Sequence, residues 1–316
     1  MGSLQSSEKK IGILGVPLGY GAGKAGSELG VEAIRLSRVR GAQLSGHLAG
    51  LGYEVKDHGN APIVQPTKPA DPAENPKYAA EMAESFRNVS ASLKKVLAEG
   101  ATPVILGGDH SIAIGTFSAL SAFYRERGEE IGLIWFDAHA DINTPETSQS
   151  GNIHGMPLAV LLGEGHPDLV QQEGFSPKLN KRYFAHVGAR DLDIGERTRI
   201  NELGLRDHFF TMADVDKRGM LACVKDALAI ASQAPGGFAV TFDVDAIDPV
   251  FAPGSGTLVR GGASYREAHL ALEVVAEHGG MRSFEIVEVN PLLDQSNITV
   301  ELAVELILSA MGKTIL

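Results

Sequence analysis

The stretch IGLIWFDAHAD, residues 131–141, decides how this chain folds. Residues 131–136 are apolar at almost every position. A strand of that kind is buried on both faces, as in a parallel sheet with helices above and below it. The second half places Asp137, His139 and Asp141 at alternate positions. In extended backbone, alternate side chains point to the same side, so these three can converge on one point. Gathered there, they would repel or desolvate one another unless a cation sat among them.

Outward from this stretch, short apolar runs alternate with longer amphipathic ones. Residues 11–16, 104–106, 184–187, 209–211, 238–242 and 284–289 also read as strands, with 53–55 a weaker candidate. Residues 76–98, 112–127, 215–232 and 265–278 read as helices. Such alternation predicts an α/β protein with a parallel sheet covered on both faces. No internal repeat or composition break divides the chain, and the proline-bearing stretch 65–77 reads as a surface loop. One domain spanning residues 1–316 is expected, with residues 1–8 disordered.

Polar residues cluster where the strands end. His110, in GGDHS, follows the strand at 104–106, and Asp137 follows Phe136. Asp243 and Asp245 follow Phe242 in TFDVDAIDP, and Glu288 closes FEIVEV. Ligands of open parallel sheets bind outside the carboxyl ends of the strands, and every one of these groups falls on that edge. His110, Asp137, His139, Asp141, Asp243 and Asp245 are too many for one divalent ion and suit two. Oxygen ligands with two imidazoles and no thiolate favour manganese or a similar ion over structural zinc. Two divalent ions would balance the four carboxylates. A bridging hydroxide, formed near neutral pH because bound water loses its proton easily, would leave the centre near −1.

The net charge of −11 argues against nucleic acid and suits a cationic ligand. No apolar run reaches the roughly 18 residues of a membrane span. The lone cysteine, Cys223, allows no internal disulfide and fits a cytoplasmic protein. It reads as core filler, and Trp135 as buried in the sheet. Asp109 reads as a turn or orienting residue rather than a ligand. His47, His58, His166, His186, His208, His269 and His278 have no acidic partners in pattern. Gly21-Ala-Gly23-Lys-Ala-Gly26 matches G-x-G-x-x-G, but Pro17 intervenes and residues 45–48 offer no acid for a ribose. A loop at a pocket rim is the better reading.

GGDHSIAIG, WFDAHADINTPETSQSGNIHGMP, TFDVDAIDP and FEIVEVNP resemble the four signature blocks of the ureohydrolases. The resemblance runs from the first strand to the last helix and is nearest to the arginase branch. It implies a three-layer α/β/α fold with a central, mostly parallel eight-stranded sheet. It also implies two Mn2+ per subunit, with Co2+ or Ni2+ as substitutes. His110 would ligate one ion and His139 the other, with Asp137 and Asp243 bridging both. Asp141 would serve the His110 side and hold the hydroxide, and Asp245 the His139 side. His154 matches a proton shuttle and Glu288 the carboxylate facing the guanidinium.

The same resemblance assigns Asn143 and Ser150 to the α-carboxylate of L-arginine, Asp193 and Glu196 to its α-amine, and Thr257 to the guanidinium end. Ser148 stands where animal members carry threonine, and the loop at 19–30 also departs from their form. The implied reaction is attack of metal-bridging hydroxide on the guanidinium carbon, giving L-ornithine and urea. Arg266 and Glu267 resemble an intersubunit pair, which implies a homotrimer or homohexamer. The nearest rival is another amidinohydrolase, of agmatinase or guanidinobutyrase type. A catalytically silent binding protein is disfavoured because all eight metal and catalytic positions are filled.

Overall fold

The computed structural model describes residues 9–71 and 73–315. The disordered segment expected at residues 1–8 lies outside them. Eight strands form one sheet: β1 (Lys10–Val16), β2 (Glu54–Asn60), β3 (Thr102–Gly107), β4 (Gly132–Phe136), β5 (Phe184–Val187), β6 (Phe209–Phe210), β7 (Phe238–Asp243) and β8 (Met281–Val287). Their order is β2-β1-β3-β8-β7-β4-β5-β6. Every pairing is parallel, so the sheet is parallel throughout rather than mostly so.

Alternation along the strands sorts the core into two layers. On one face Ile13, Val104, Ile134, Val240 and Ile286 meet Ile34, Cys223, Val224, Leu272 and Ile307. These come from helices Gly30–Leu36, Met220–Ala231, Tyr265–His278 and Ile298–Ala310. On the other face Leu14, Ile105, Trp135 and Ala239 meet Phe86, Leu93, Ile114 and Phe117 of helices Ala79–Ala98 and Ala113–Arg125. Cys223 and Trp135 are fully buried, as expected. Burying one such leucine or phenylalanine contributes about 1.5–3 kcal/mol.

Three differences from the sequence reading have local causes. The helix expected over 215–232 is two helices, Met212–Arg218 and Met220–Ala231, parted at Gly219 with φ 80°. The last strand ends at Val287 because Glu288 turns out of the sheet at φ 63°. The weak candidate at 53–55 is a seven-residue strand. It forms the sheet edge, so its polar sequence EVKDHGN remains largely open to solvent.

The topology positions the site. The chain passes from β3 to β4 across a gap that β7 and β8 later fill. His110 follows β3, Asp137 follows β4, Asp243 ends β7 and Glu288 follows β8. The four central strands therefore deliver their polar ends to one place.

Candidate metal centre and substrate cavity

Asp137 stands between the two histidines. Its Oδ2 lies 3.0 Å from His110 Nδ1 and its Oδ1 lies 3.3 Å from His139 Nδ1. Asp141 Oδ2 and Asp243 Oδ2 approach His110 Nδ1 at 3.3 and 3.4 Å. Asp245 Oδ2 approaches His139 Nδ1 at 3.2 Å. Two triads result, His110–Asp137–Asp141 and Asp137–His139–Asp245, each with ligand atoms within 4.8 Å of one another. Asp243 turns its Oδ1 to the backbone N–H of Asp245, 2.8 Å away.

Buried partners hold these groups in place. Trp135 Nε1 donates to Asp137 Oδ2 (3.0 Å), and the His139 N–H donates to Asp137 Oδ1 (2.7 Å). Thr241 gives its one hydroxyl hydrogen to Glu285 Oε1, 2.9 Å away. Its oxygen then accepts from His110 Nε2, at 2.9 Å, so that in the neutral imidazole Nδ1 is the nitrogen free to ligate a cation. That nitrogen is buried and has no hydrogen-bond partner. A bare imidazole nitrogen aimed at three carboxylates is what a divalent cation requires, so the residues present fit the expected ions. His186 Nε2 bonds the carbonyl of His139 at 2.7 Å, so a histidine with no acidic partner in the sequence supports a candidate ligand.

The charges tell the same story. Burial, helped by neighbouring carboxylates, pushes Asp141 up to about 6 and raises Asp243 and Asp245. Asp137 is also penalised by burial, yet the two flanking imidazoles hold it well below the usual carboxylate range. Burial opposes charge on His110 and His139, but the acids around them drive both upward. Acids and imidazoles raised together mean a surplus of negative charge, which cations relieve.

A cavity of about 220 Å³ opens above this cluster, lined by His139, Asp141, Asn143, His154, Gly155, Asp191, Asp193, Glu196, Asp243 and Thr257. Thr257 Oγ1 donates to Asp245 Oδ2 (2.9 Å) and Asn143 Nδ2 to Asp193 Oδ2 (2.9 Å). Asp193 caps helix Ile194–Glu202 and closes a reciprocal box with Glu196. Burial lifts Glu196 to about 7. Glu288 Oε1 accepts from the His110 N–H (3.0 Å) and lies 3.1 Å from His154 Nδ1. Burial opposes charge on His154, but Glu288 outweighs it and lifts the imidazole to about 9.

Ser148 and Ser150 are not among the cavity-lining residues. Each hydroxyl instead accepts from its own loop, Ser148 from Gly151 N (3.0 Å) and Ser150 from Asn152 N (3.2 Å). Arg266 pairs with Glu273 along its own helix, and Glu267 closes a capping box with Ser264. Asp109 accepts from the N–H groups of Gly21 (2.8 Å) and Ser111 (3.0 Å), as a turn residue would. None of residues 21–26 lines the cavity, but the glycine-rich stretch contacts the segments that carry His154 and Thr257. Gly21 O accepts from His154 N (3.2 Å), and Lys24 Nζ donates to Gly256 O (2.7 Å). The sequence reading missed Asp191, Gly155, Thr241, Glu285 and His186. Only Asp191, in the acidic run RDLD, left a signal there.

Three strand ends that present paired carboxylate–imidazole triads beneath an acid-lined cavity define a hydrolase of the ureohydrolase class. Residues 9–312 match the Arginase family. The chain is 43% identical over 309 residues to an arginase of Bacillus subtilis, covering 98% of this chain and 100% of the relative. It is 40% identical over 309 residues to an arginase of Bacillus caldovelox, with the same coverage. The native structure of the Bacillus caldovelox arginase superimposes with a TM-score of 0.90, covering 98% of this chain and 100% of that one. An arginase structure from Bacillus subtilis, 41% identical at the same coverage, gives 0.86. The chain belongs to the arginase family and is a hydrolase. Among the described residues, no helix is long and apolar enough to cross a membrane.

Proposed function

We propose that this protein hydrolyses L-arginine to L-ornithine and urea with two manganese ions, as one domain acting in the cytoplasm. The observation that carries this reading is the pair of triads sharing Asp137 beneath the acid-lined cavity. His110, Asp137, His139, Asp141, Asp243 and Asp245 would hold the two ions. Such a pair supplies Lewis acidity that makes water nucleophilic near neutral pH. Glu288 commits Oε1 to His110 and His154, leaving Oε2 to accept from the planar guanidinium. Asp141 orients the attacking water and takes its proton. His154, kept charged by Glu288, returns a proton to the leaving amine. Asp193 and Glu196 face the α-ammonium, and Asn143 faces the α-carboxylate with Ser148 and Ser150 at the loop behind it. Thr257 steadies Asp245 beside the guanidinium.

Urea release from L-arginine, agmatine and guanidinobutyrate, after loading with manganese, cobalt or nickel, tests the proposal. Manganese-loaded protein is expected to prefer L-arginine by about a hundredfold or more in kcat/KM, because a site built around a polar group rejects analogues lacking it. Preference for either analogue would make the chain a different amidinohydrolase. We also propose a homotrimer or homohexamer, checked by light scattering on the eluting protein. There Arg266 would exchange Glu273 for a partner across the interface.

A further inference from the structure

We propose that Arg190 is a positioning residue for the metal centre: its guanidinium gathers the backbone behind Asp245, so that the Asp137–His139–Asp245 triad can hold its ion. This rests on the reading of the two triads as ion sites. Arg190 follows β5 and precedes Asp191, which lines the cavity. A cation beside a surplus of acids should pair with one of them. Among the described residues Arg190 pairs with no carboxylate. Its terminal nitrogens turn instead to backbone carbonyls. Nη2 lies 2.5 Å from Asp245 O, 2.8 Å from Val259 O and 3.4 Å from Ile247 O. Nη1 lies 3.2 Å from Ala246 O and 3.3 Å from Gly188 O. The carbonyls of Asp245, Ala246 and Ile247 close the helical turn Val244–Ala246, where the last carbonyls find no partner inside the turn.

The backbone of Arg190 reaches the other half of the triad. Its N–H donates at 2.8 Å to the carbonyl of Ala138, which sits between Asp137 and His139. Ala138 N in turn donates to Asp245 Oδ1 at 3.1 Å. The other oxygen, Oδ2, accepts from Thr257, two residues before Val259. Arg190 thus grips both ends of segment 245–259, and with them both donors that aim the Asp245 carboxylate. The fit is close: a Cβ at Gly262 would stand 2.6 Å from Nη2. Burial lowers the guanidinium from its ordinary pKa, while the charges of Asp245, Asp137, Asp248 and Asp243 oppose that shift. A lysine could replace the charge but not the planar fork that spans these carbonyls. The Arg190 side chain makes no hydrogen bond to His110, Asp137 or Asp141, so the other triad does not depend on it in this way.

Manganese titration followed by electron paramagnetic resonance, which counts free ions, tests the assignment. Arg190→Met is expected to weaken one of the two ions about 10–100-fold, the usual cost of removing the support behind a ligand, and to leave the other nearly unchanged. Arg190→Lys should regain part of the loss, and it carries the same comparison should Arg190→Met not fold. Asp245→Asn should weaken the same ion. Adding Arg190→Met to Asp245→Asn should then cost at most about twofold more, because one residue acts through the other. Full additivity, equal weakening of both ions, or no change would overturn the assignment. Uptake of fewer than two ions by the unaltered protein would instead sink the two-ion reading. Hydrogen exchange on metal-free protein would still decide the place of Arg190. The amides of Asp248 and Ala263, bonded to Ala263 O and Ala246 O, should exchange faster in Arg190→Met, and unchanged rates would mean that Arg190 does not gather this segment.

Discussion

Both oxygens of Asp137 are engaged, one toward His110 and Trp135, the other toward His139. Asp141 and Glu288 differ in backbone, with φ of 52° and 63°. Left-handed backbone at such residues costs of order 1–3 kcal/mol and persists where the surroundings over-determine it. Here it turns each carboxylate out of its strand's line and toward the centre. We predict that Asp141→Asn lowers kcat by about a hundredfold or more, because it removes both a ligand charge and a proton acceptor. His154→Asn should lower it about tenfold, since water can deliver the proton less efficiently. Steady-state urea release with metal content measured in parallel decides it; equal, negligible effects would contradict both roles. The alternate spacing of Asp137, His139 and Asp141 is legible in the sequence, but the extended backbone expected there is not what gathers them: β4 ends at Phe136, and a bend with Asp141 at φ 52° brings the three together. The support behind His110 is not legible. Thr241 and Glu285 are 44 residues apart and meet only because β7 and β8 pair in that register.

Helix Ile194–Glu202 shows one element serving two ends. Its capping box ties Asp193 to Glu196, and both carboxylates also line the cavity. The cost falls on Glu196, whose carboxyl burial pushes from 4.5 up to about 7. Between those values the folded chain keeps a proton that the unfolded chain has lost, so this group's contribution to stability falls as pH rises and is fully lost above about 7. Glutamine preserves the capping geometry without the charge. Metal-free Glu196→Gln should therefore melt at the wild-type temperature near pH 4 and roughly 2–5 °C higher at pH 8. It should also show a raised KM for L-arginine. A stability gain that shrank with rising pH would refute the assignment. Most strands were legible from their apolar runs. The edge strand β2 was nearly lost because exposure lets it be polar, and the break at Gly219 was lost because both flanking helices keep one apolar rhythm.

At the scale of the molecule, the fold converges where its charge is least favourable. Three of the four central strands, β4, β7 and β8, end in acids that are buried together beside His110, in a chain of net charge −11. Divalent ions that bind only the folded chain stabilise it by RT ln(1 + [L]/Kd), about 2.7 kcal/mol at a hundredfold excess over Kd and about 4.1 at a thousandfold. They also relieve the repulsion that lifts Asp141, Asp243 and Asp245. At about 2–4 °C per kcal/mol for a large domain, chelation should lower the melting temperature by roughly 10 °C. Manganese should restore it in proportion to the logarithm of its concentration. Because the ligands come from β3, β4 and β7, the metal-free protein should still unfold in one transition if residues 1–316 form one domain. Asp137→Asn, at the residue common to both triads, should abolish the manganese-dependent rise, whereas Asp245→Asn should keep part of it. Scanning calorimetry with and without chelator measures all three. A melting temperature indifferent to chelation in protein shown to have carried manganese would mean that the strand ends do not hold the ions.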